Sequence, residues 1–288
     1  MNTQPFHEAK RHGKDDFMYD TYICTIPLDF ASVPLHWHED MEIIYIKKGE
    51  GIISVDLNSK EVTAGDIVVV APGHLHSIEQ KNDKEMQYEN ILFSLSLLNG
   101  LATDWCTAEC FLPIRTGEMI VPIFIGKDEP FYKNISRCID SIDEVCEKQE
   151  NGYRLCVKAK MYELFYFLYQ NRLPQRQTLQ KKQSLLKIKE AVIFAEENYA
   201  GHITIEQVAK VCNFSPSHFM RFFKGAMGES FVTYLNGFRL SAAATRLRET
   251  QDAVIDVAYS CGFENISYFN REFKAKFHKT PREYRKLS

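Results

Sequence analysis

The sequence predicts an α+β protein of two domains, in which a β-rich N-terminal domain precedes an all-α C-terminal domain. Two observations support this prediction. Short runs of β-branched residues separated by turn residues occupy residues 42–96. A helix-turn-helix pattern occurs twice within residues 204–285. A chain of 288 residues is long enough for two domains. We expect the first domain at residues 1–171, a linker at 172–183 and the second domain at 184–288.

The strands of the first domain are predicted from runs such as 43–46, 52–57 and 67–71, which are rich in Ile and Val. Turn residues follow or precede these runs, for example Gly49 and Gly65. Short strands at this spacing are typical of a small barrel or a jelly roll. We therefore expect the first domain to be a small barrel or a jelly roll.

Three histidines and one glutamate in this domain have a spacing that suits strands. In His36-x-His38 the two imidazoles share one strand face, and Glu42 keeps the same parity. His76, or its neighbour His74, follows on a later strand. We expect His36, His38, Glu42 and His76 to converge inside the barrel and to bind a small molecule through hydrogen bonds. The same set also suits Fe, Mn, Ni or Zn, so a metal site is the alternative.

Two amphipathic helices are predicted after the barrel, at about 129–150 and about 153–171. The second is so rich in apolar and aromatic residues that packing against a single layer would leave much of it exposed. It is therefore either buried between domains or part of a dimer contact. Residues 173–183 are polar, Gln-rich and basic without an apolar period, as is typical of a linker.

The helix-turn-helix pattern reads 205–209 followed by 213–224, and again 255–258 followed by 262–274. The Val-Ala pairs of the two copies lie 49 positions apart, and their Phe-x-Arg-x-Phe-Lys segments lie 50 positions apart. A repeat of this length marks a duplicated supersecondary unit. We expect the one-residue difference to fall in the turn between the helices. Two such units on one chain can read adjacent segments of the DNA major groove.

The second helix of each copy divides into an apolar and a polar face. At about 100° per residue, Phe219, Phe222 and Phe223 face the core in the first copy, as do Phe269 and Phe273 in the second. On the opposite face, arginine can reach a guanine edge and lysine suits phosphate. A structural bundle with a solvated basic face is the alternative, but two copies in one register favour DNA binding. The residues expected to contact DNA are Ser217, His218, Met220, Arg221, Lys224, Ser267, Tyr268, Asn270, Arg271 and Lys274.

A long helix is predicted between the two units. Apolar residues recur with a helical period at Phe231, Tyr234, Leu235, Phe238 and Ala242. A helix of about 20 residues spans roughly 30 Å, which is close to the ~34 Å between successive major grooves on one face of DNA. One chain can therefore fill two neighbouring grooves without dimerising.

Charge is divided unevenly along the chain. The whole chain has a formal charge of −3, but residues 184–288 contain 15 Lys and Arg and 11 Asp and Glu, which makes this part +4 and the remainder −7. A basic module carried by an acidic one suits a DNA-binding regulator. The eight cysteines show no Cys-x-x-Cys or zinc-finger spacing. The N-terminus lacks a charged segment followed by an apolar one, and no apolar run approaches a membrane span. A cytoplasmic protein without membrane contact is therefore expected.

Three motifs in the C-terminal third are specific. They are R-L-x-x-A-x-x-x-L from Arg239, the run G-F-x-x-x-S-Y-F-x-R-x-F-K at 262–274, and T-P-x-x-Y-R at 280–285. With these motifs the segment resembles the DNA-binding domain of the AraC/XylS family of bacterial transcription regulators. His278 departs from the family pattern, since the family usually has glycine at this position. The first copy keeps a glycine, Gly228, at the matching position. Since His tolerates a left-handed turn less well than Gly, we expect a small local cost and no change of fold.

The first domain resembles the cupin barrel through two half-motifs, which begin at His36 and at Gly65. In metal-dependent cupins the matching residues bind a divalent ion, whereas sensor domains of the AraC/XylS type often keep them as pocket residues without a metal. The resemblance therefore implies a cupin-like sensor followed by a double helix-turn-helix domain. It also implies that the helices after the barrel form the dimer contact.

We therefore expect a sequence-specific transcription regulator, not an enzyme, that binds double-stranded DNA under the control of a sugar or a related polar metabolite. The expected partners include a second copy of the chain and, as for an activator, RNA polymerase, and no cofactor or metal is expected. The rival hypothesis is a metal-dependent cupin enzyme, such as a dioxygenase or an isomerase, or a metal sensor, fused to a DNA-binding domain. Catalysis needs a bound metal with an open position, so metal analysis separates the two. The sequence leaves the effector, the operator and the sign of regulation open.

Overall fold

The computed structural model describes residues 17–29, 32–56, 58–99, 104–174, 179–277 and 279–286. The chain divides into two compact units, with the division after Leu179. The predicted fold class is confirmed, since a sheet-rich unit is followed by a helical one. His278, for which a local cost is expected, lies outside the described residues, as do residues 175–178 of the predicted linker.

The described residues of the first unit form eight strands. They are β1 (Tyr19–Ile26), β2 (Ser32–His36), β3 (Met41–Val55), β4 (Asn58–Thr63), β5 (Ile67–Val70), β6 (His76–Gln80), β7 (Met86–Phe93) and β8 (Phe124–Ile125). The long strand β3 organises them, because its first half pairs with β5 and β7 and its second half with β4 and β6. β1 extends the sheet beyond β7, β8 extends it beyond β5, and β2 pairs with β6.

Successive side chains of β3 point to opposite faces of the sheet, and each face packs into its own apolar core. Ile44 and Ile46 point into an interior that they share with side chains from the neighbouring strands, including Tyr88 of β7. Ile43 points to the opposite face of the sheet, where it packs beneath helices. The strand turns between its two halves at Gly49, whose φ of 75° is left-handed. Any Cβ there would overlap the carbonyl oxygen of Glu85, so only glycine fits.

Helices cover the outer face of this sheet. A 3-10 turn at Leu95–Leu98 and a π-helical turn at Thr107–Phe111 precede α1 (Leu112–Arg115), and α2 (Tyr132–Lys148) and α3 (Tyr153–Gln170) follow. The ends of α2 and α3 agree with the predicted helices to within three residues. Their buried residues, such as Ile139 and Leu164, complete the outer core.

The helical unit contains α4 (Leu179–Asn198), α5 (Ile205–Val211), α6 (Pro216–Met227), α7 (Phe231–Glu249), α8 (Val254–Ser260), α9 (Ile266–Phe277) and α10 (Pro281–Arg285). The start of α4 lies inside the segment predicted as linker. Gln, Lys and Leu are good helix formers, so this segment is helical from Leu179 although it lacks an apolar period. Leu173, at the other end of the predicted linker, forms a β-bridge with Ile120.

The long helix α7 packs into two hydrophobic cores, and a different stripe of apolar residues faces each core. Phe231, Tyr234 and Leu235 are buried in its first half, as predicted. The buried residues of the second half are Leu240, Ala243, Ala244 and Leu247. Phe238 and Ala242 of the predicted stripe are only half-buried, because the buried face moves between the two halves. The 19 residues of α7 span roughly 28 Å at the usual rise per residue.

Candidate nucleic-acid interface and sensor site

The first helix-turn-helix unit is formed by α5 and α6, and local side chains define where both helices begin. A capping box starts α5, in which Thr204 Oγ1 accepts from the Gln207 amide and Gln207 Oε1 accepts from the Thr204 amide. Ser215 Oγ accepts from the His218 amide at the start of α6. The turn between the helices places Asn213 at a φ of 55°, a left-handed conformation that Asn tolerates.

The second unit, α8 and α9, repeats this arrangement with different residues. Gly262, at a φ of 83°, takes the place of Asn213 in the turn. Asn265 Oδ1 accepts from the Tyr268 amide at 2.9 Å and begins α9. Glu264, between the turn and this cap, has no counterpart in the first copy. It therefore accounts for the change in repeat spacing, and the predicted position of that difference in the turn is confirmed.

The aromatic faces of α6 and α9 are buried as predicted. Phe219, Phe223, Phe269 and Phe273 are completely inaccessible to solvent. Phe222 is the exception, because it is half-buried and packs against the ring of Phe214 with centroids 5.0 Å apart.

The predicted DNA-contacting residues lie on the outer faces of these two helices. In α6 all five are exposed, namely Ser217, His218, Met220, Arg221 and Lys224. In α9 the exposed ones are Ser267, Asn270, Arg271 and Lys274. Tyr268 is half-buried, and its hydroxyl oxygen accepts from Asn236 Nδ2 of α7 at 3.0 Å. Its ring also lies beneath the Arg271 guanidinium at 5.1 Å, so Tyr268 holds α9 to α7 and positions Arg271.

Several cations of this unit donate to backbone carbonyl oxygens within the unit. Arg239 donates to the carbonyl oxygens of Tyr199 at 2.8 Å and Gly201 at 2.7 Å, so the motif arginine fixes α7 to the end of α4. Lys276 donates to the carbonyl oxygen of Gly237 at 2.6 Å. Sequence reasoning missed these roles, because a cation on a helix does not reveal which distant carbonyl it will reach.

The four predicted sensor residues converge within the first unit. His36 ends β2, His38 follows it, Glu42 lies on β3 and His76 begins β6 in register with His36. One ligand atom from each of the four lies within 4.8 Å of the others. All four side chains are buried, with exposures from 0% for His76 to 7% for His36. The predicted convergence inside the barrel is therefore confirmed.

Each imidazole of this cluster is oriented by the backbone. Nδ1 lies 2.9 Å from the carbonyl oxygen of Pro34 in His36 and 3.0 Å from that of Asp40 in His38. Nδ1 of His76 lies 2.9 Å from the carbonyl oxygen of His74. These contacts fix the ring planes, so the opposite edges of the rings have fixed directions.

Glu42 lies at the centre of the cluster. Its Oε2 is 3.1 Å from His38 Nε2 and 2.7 Å from His76 Nε2. Burial opposes ionisation, but His76 and His38 hold the pKa of the Glu42 carboxyl well below its usual range. Burial, reinforced by His76, lowers the pKa of His36 to about 3. The cluster therefore combines a carboxylate with a neutral His36 in a region that water hardly reaches.

His74 does not belong to this cluster. Its Nδ1 lies 2.6 Å from Asp56 Oδ2, and the other carboxylate oxygen of Asp56 accepts from the Leu75 amide at 3.1 Å. The choice between His74 and His76 depends on the pairing of β2 with β6, which local spacing does not determine.

A second polar cluster, which sequence reasoning missed, lies on the outer face of the sheet, where Glu89 is buried and Lys47 and Asp143 are half-buried. Lys47 Nζ is 2.7 Å from Glu89 Oε2 and 3.6 Å from Asp143 Oδ2 of α2. Burial, with Glu89 as the next cause, raises the pKa of Asp143 to about 7. Glu89 shares its strand parity with the buried Ile91, which is the signal that predicts its burial.

All eight cysteines are free thiols. Burial raises the pKa of Cys110, Cys138 and Cys212 to about 11, which keeps these thiols protonated. No helix within the described residues is both long enough and apolar enough to cross a membrane.

Comparison with known proteins agrees with both halves of this structure. Residues 27–165 match the AraC-like ligand binding domain, and residues 208–287 match a helix-turn-helix domain. The chain belongs to the AraC family of transcriptional regulators. It is therefore a DNA-binding transcription regulator with a cupin-like ligand-binding domain.

Relatives in this family match over most of their length. The uncharacterized HTH-type transcriptional regulator YdeC of Bacillus subtilis is 22% identical, with 99% of this chain and 97% of that protein covered. The lactose operon transcription activator of Staphylococcus xylosus is 27% identical, with coverages of 83% and 81%. The HTH-type transcriptional activator RhaS of an Enterobacter species is 23% identical, with 88% of each chain covered.

Proposed function

We propose that this AraC-family protein is a cytoplasmic, homodimeric regulator that reads DNA with α6 and α9 and responds to a small polar effector bound by its sensor unit. The observation that supports the DNA-reading part is the pair of outward faces in matching register. Ser217, Arg221 and Lys224 recur 50 positions later as Ser267, Arg271 and Lys274. The exposed residues are repeated together with the buried phenylalanines. This repetition indicates that the outer faces of α6 and α9 have the same function.

The two exposed arginines are assigned to bases and the two lysines to phosphates. A guanidinium offers two parallel donors that match the O6 and N7 acceptors of guanine. An ammonium is a point charge that suits phosphate without reading sequence. Arg221 and Arg271 therefore determine specificity, while Lys224 and Lys274 contribute affinity that weakens with salt.

Mapping the genomic sites bound by the full-length protein tests this assignment, followed by binding measurements on one mapped site. The double variant Arg221→Ala with Arg271→Ala should lose discrimination between that site and random DNA. Arg137→Ala on α2 removes the same charge from an exposed position of the sensor unit, so it should leave binding unchanged. Undiminished discrimination in the double variant would contradict the proposal.

The sensor unit is proposed to bind the effector at His36, His38, Glu42 and His76. A sugar or a related polar metabolite has hydroxyl groups that suit a carboxylate and imidazoles. One relative, the lactose operon transcription activator of Staphylococcus xylosus, is named for the operon of a sugar, which supports this chemical class. Genes adjacent to the mapped sites would supply candidate effectors, and each would be tested for a change in DNA affinity. His38→Ala should abolish that change while the affinity for DNA without effector stays the same.

The dimer is proposed to form through α3, where an apolar stripe faces solvent. Leu155, Tyr162 and Tyr166 recur at spacings of seven and four residues and are 75%, 37% and 57% exposed. Exposed apolar stripes on a helix are typical of protein contacts. Leu155→Glu with Tyr166→Glu should convert a dimer into a monomer in sedimentation experiments, whereas Arg137→Glu on α2 should not.

RNA polymerase is the proposed partner of α8. Ile255 and Tyr259 are 43% and 49% exposed, and the repeat places the exposed Glu206 and Lys210 at the matching positions of α5. Since the first unit has charged residues at these positions, the helix-turn-helix fold does not require apolar residues there. The exposed apolar pair of α8 therefore supports a contact with another protein. Tyr259→Lys should reduce activation in transcription assays and leave DNA binding intact.

A metal-dependent enzyme or metal sensor is the second candidate for the first unit. The observation that favours it is the convergence of three imidazoles and a carboxylate within 4.8 Å. Turnover of a substrate by the metal-loaded protein would support the enzyme. A change in DNA affinity on adding a metal salt alone would support the metal sensor.

A further inference from the structure

We propose that Lys276 is a positioning residue for DNA binding. By fixing the end of α9 to α7, it sets the direction in which α9 meets DNA relative to α6. It thereby sets the spacing between the two groups of bases that one chain reads. This inference rests on the proposed function, in which α6 and α9 both read DNA.

The middle of α7 is the place where the two helix-turn-helix units join. Tyr234 and Leu235 are buried towards the first unit, and the buried apolar residues of α7 resume at Leu240. Residues 236–239 between them are only half-buried. Apolar packing is non-directional, and it is incomplete at this junction. Directional polar contacts therefore have most influence here on how the two units are oriented.

Lys276 lies on the face of α9 that is turned away from the predicted DNA-contacting residues. It follows the fully buried Phe269 by seven positions, which brings it within about 20° of the same direction around the helix. Lys274 of the outer face points about 160° away from it. Part of the Lys276 side chain is exposed, but its place on the helix directs the ammonium towards α7 and not towards DNA.

The Lys276 ammonium closes a triangle of hydrogen bonds on α7. Its Nζ donates to the carbonyl oxygen of Gly237 at 2.6 Å and to Ser241 Oγ at 2.8 Å. Ser241 Oγ donates its own proton to the same carbonyl oxygen at 3.0 Å, so its lone pairs are left to accept from the ammonium. Gly237 has no side chain to cover its carbonyl oxygen, and a Cβ there would lie 3.8 Å from Lys276 Nζ. Hydrogen bonds from an ammonium are stronger than those between neutral groups, so this contact holds its geometry.

Tyr268 and Lys276 attach the two ends of α9 to the same turn of α7. The Tyr268 hydroxyl oxygen accepts from Asn236 Nδ2 at 3.0 Å, and Asn236 directly precedes Gly237. Tyr268 and Lys276 are eight residues apart, so they leave α9 at points roughly 12 Å apart along its axis. Two attachments at this separation fix the direction of a helix, whereas a single one lets it pivot.

Glu229 connects Lys276 electrostatically to the first unit. It lies between α6 and α7, directly after Gly228, and is half-buried. Burial lowers the pKa of Lys276 to about 8 and raises the pKa of Glu229. Each of the two groups counteracts the effect of burial on the other, because opposite charges stabilise one another. Lys276 of the second unit therefore interacts with the segment that ends the first unit.

The experiment measures how DNA affinity depends on the spacing between the two groups of bases. Full-length protein binds one mapped genomic site, and the base positions that respond to Arg221→Ala and to Arg271→Ala define the two groups. Duplexes are then made in which this spacing is changed by one or two base pairs. The wild type should bind the native spacing about tenfold more tightly than the altered ones, because a shift removes the base contacts of one unit.

Lys276→Met removes the ammonium and keeps an unbranched apolar side chain. It should lower the spacing preference to about threefold or less and weaken binding to the native spacing by about threefold, as the loss of one hydrogen bond does. Ser241→Ala, which keeps the charge of Lys276, should change the preference in the same direction by a smaller amount. A general loss of stability does not change this preference, since the preference compares sites bound by the same protein.

Lys279→Met is the matched control, because it removes the same charge from an exposed position three residues further on. It should keep the spacing preference of the wild type. A direct contact between Lys276 and phosphate would make Lys276→Met weaken binding to all spacings equally and with less salt dependence. That outcome, or an unchanged preference in Lys276→Met, would overturn the inference. Circular dichroism establishes that each variant is folded, and Ser241→Ala decides by the same criterion if Lys276→Met is not.

The wild-type result separates this inference from the proposed function. Equal affinity of the wild type for every spacing would overturn both, because the two units would then not read DNA together. A wild-type preference that Lys276→Met retains in full would overturn the role of Lys276 alone, and reading by α6 and α9 would stand.

Discussion

The two helix-turn-helix units have the same pattern of core residues but differ at the ends of their helices and in part of their outer faces. Phe219 and Phe223 in the first unit correspond to Phe269 and Phe273 in the second, and all four are fully buried. In the turns, Asn213 corresponds to Gly262. The cores are thus nearly interchangeable, while the turns and outer faces have each adapted to their own surroundings.

The difference in the turns follows from what packs against them. A Cβ at Gly262 would overlap the carbonyl oxygen of Tyr199 and crowd the Arg239 guanidinium, which binds the same carbonyl. The second unit is therefore in close contact with the end of α4 at a place where the first unit tolerates an asparagine side chain. Duplication preserved the left-handed turn, and the local neighbour decided which residue type occupies it.

The largest expected effect comes from replacing the left-handed residue of each turn with alanine. Gly262→Ala should lower the free energy of unfolding by about 3 kcal/mol, because it adds left-handed strain and an overlap with backbone. Asn213→Ala should cost about 1 kcal/mol, since it adds strain alone. Urea unfolding followed by circular dichroism measures both. Similar losses in the two variants would mean that the contact with Tyr199 does not distinguish the units.

The next effect concerns the arginines that the two outer faces share. Arg221→Ala and Arg271→Ala should each weaken specific DNA binding by ~1–3 kcal/mol and relax base preference at different positions of the site. Lys224→Ala should instead weaken binding to all sequences and reduce its salt dependence. Binding to a set of sites with single base changes, measured at two salt concentrations, distinguishes these outcomes. Loss of preference at one shared position would contradict separate reading by the two units.

Much of this comparison could be predicted from the sequence, because it depends on local periodicity. The spacing of Phe219 and Phe223 defines the buried face of α6 without reference to any other element. The two-residue spacing of His36 and His38 likewise predicts that their rings lie together, and the ring centroids are 5.8 Å apart. These patterns survive because residues three, four or two positions apart remain neighbours whatever the tertiary fold.

Features that depend on distant partners could not be predicted. Whether His74 or His76 joins the sensor cluster is decided by strand pairing and by Asp56, which lies 18 positions before His74 in the chain. The role of Arg239 depends on the carbonyl oxygen of Tyr199, 40 positions away. The buried stripe of α7 changes face because the helix packs into two cores, and a single helical period cannot describe that.

A smaller effect is expected where the outer faces differ. Met220 of α6 corresponds to Asn270 of α9, and both are exposed. An asparagine amide can pair with adenine, whereas methionine offers only an apolar contact, as to a thymine methyl group. Exchanging them as Met220→Asn and Asn270→Met should change base preference by about 1 kcal/mol at one position for each unit. Binding to the same set of altered sites measures the change, and an unaltered preference would remove both residues from the interface.

The smallest effect concerns the starts of the first helices, where only one unit has a side-chain cap. Thr204 caps α5 through a capping box with Gln207, whereas Ala253 at the start of α8 has no side-chain oxygen. Thr204→Ala should therefore cost about 1 kcal/mol of stability, and Ala253→Ser should add about 0.5 kcal/mol, because a hydroxyl satisfies an amide that the helix itself leaves open. The backbone of Ala253 already has the extended conformation of a cap residue, with φ −60° and ψ 143°, so serine needs no rearrangement there. Urea unfolding of both variants measures the changes, with DNA binding as the control that the outer faces are intact. A loss of stability in Ala253→Ser would show that the second unit excludes a cap for reasons of packing.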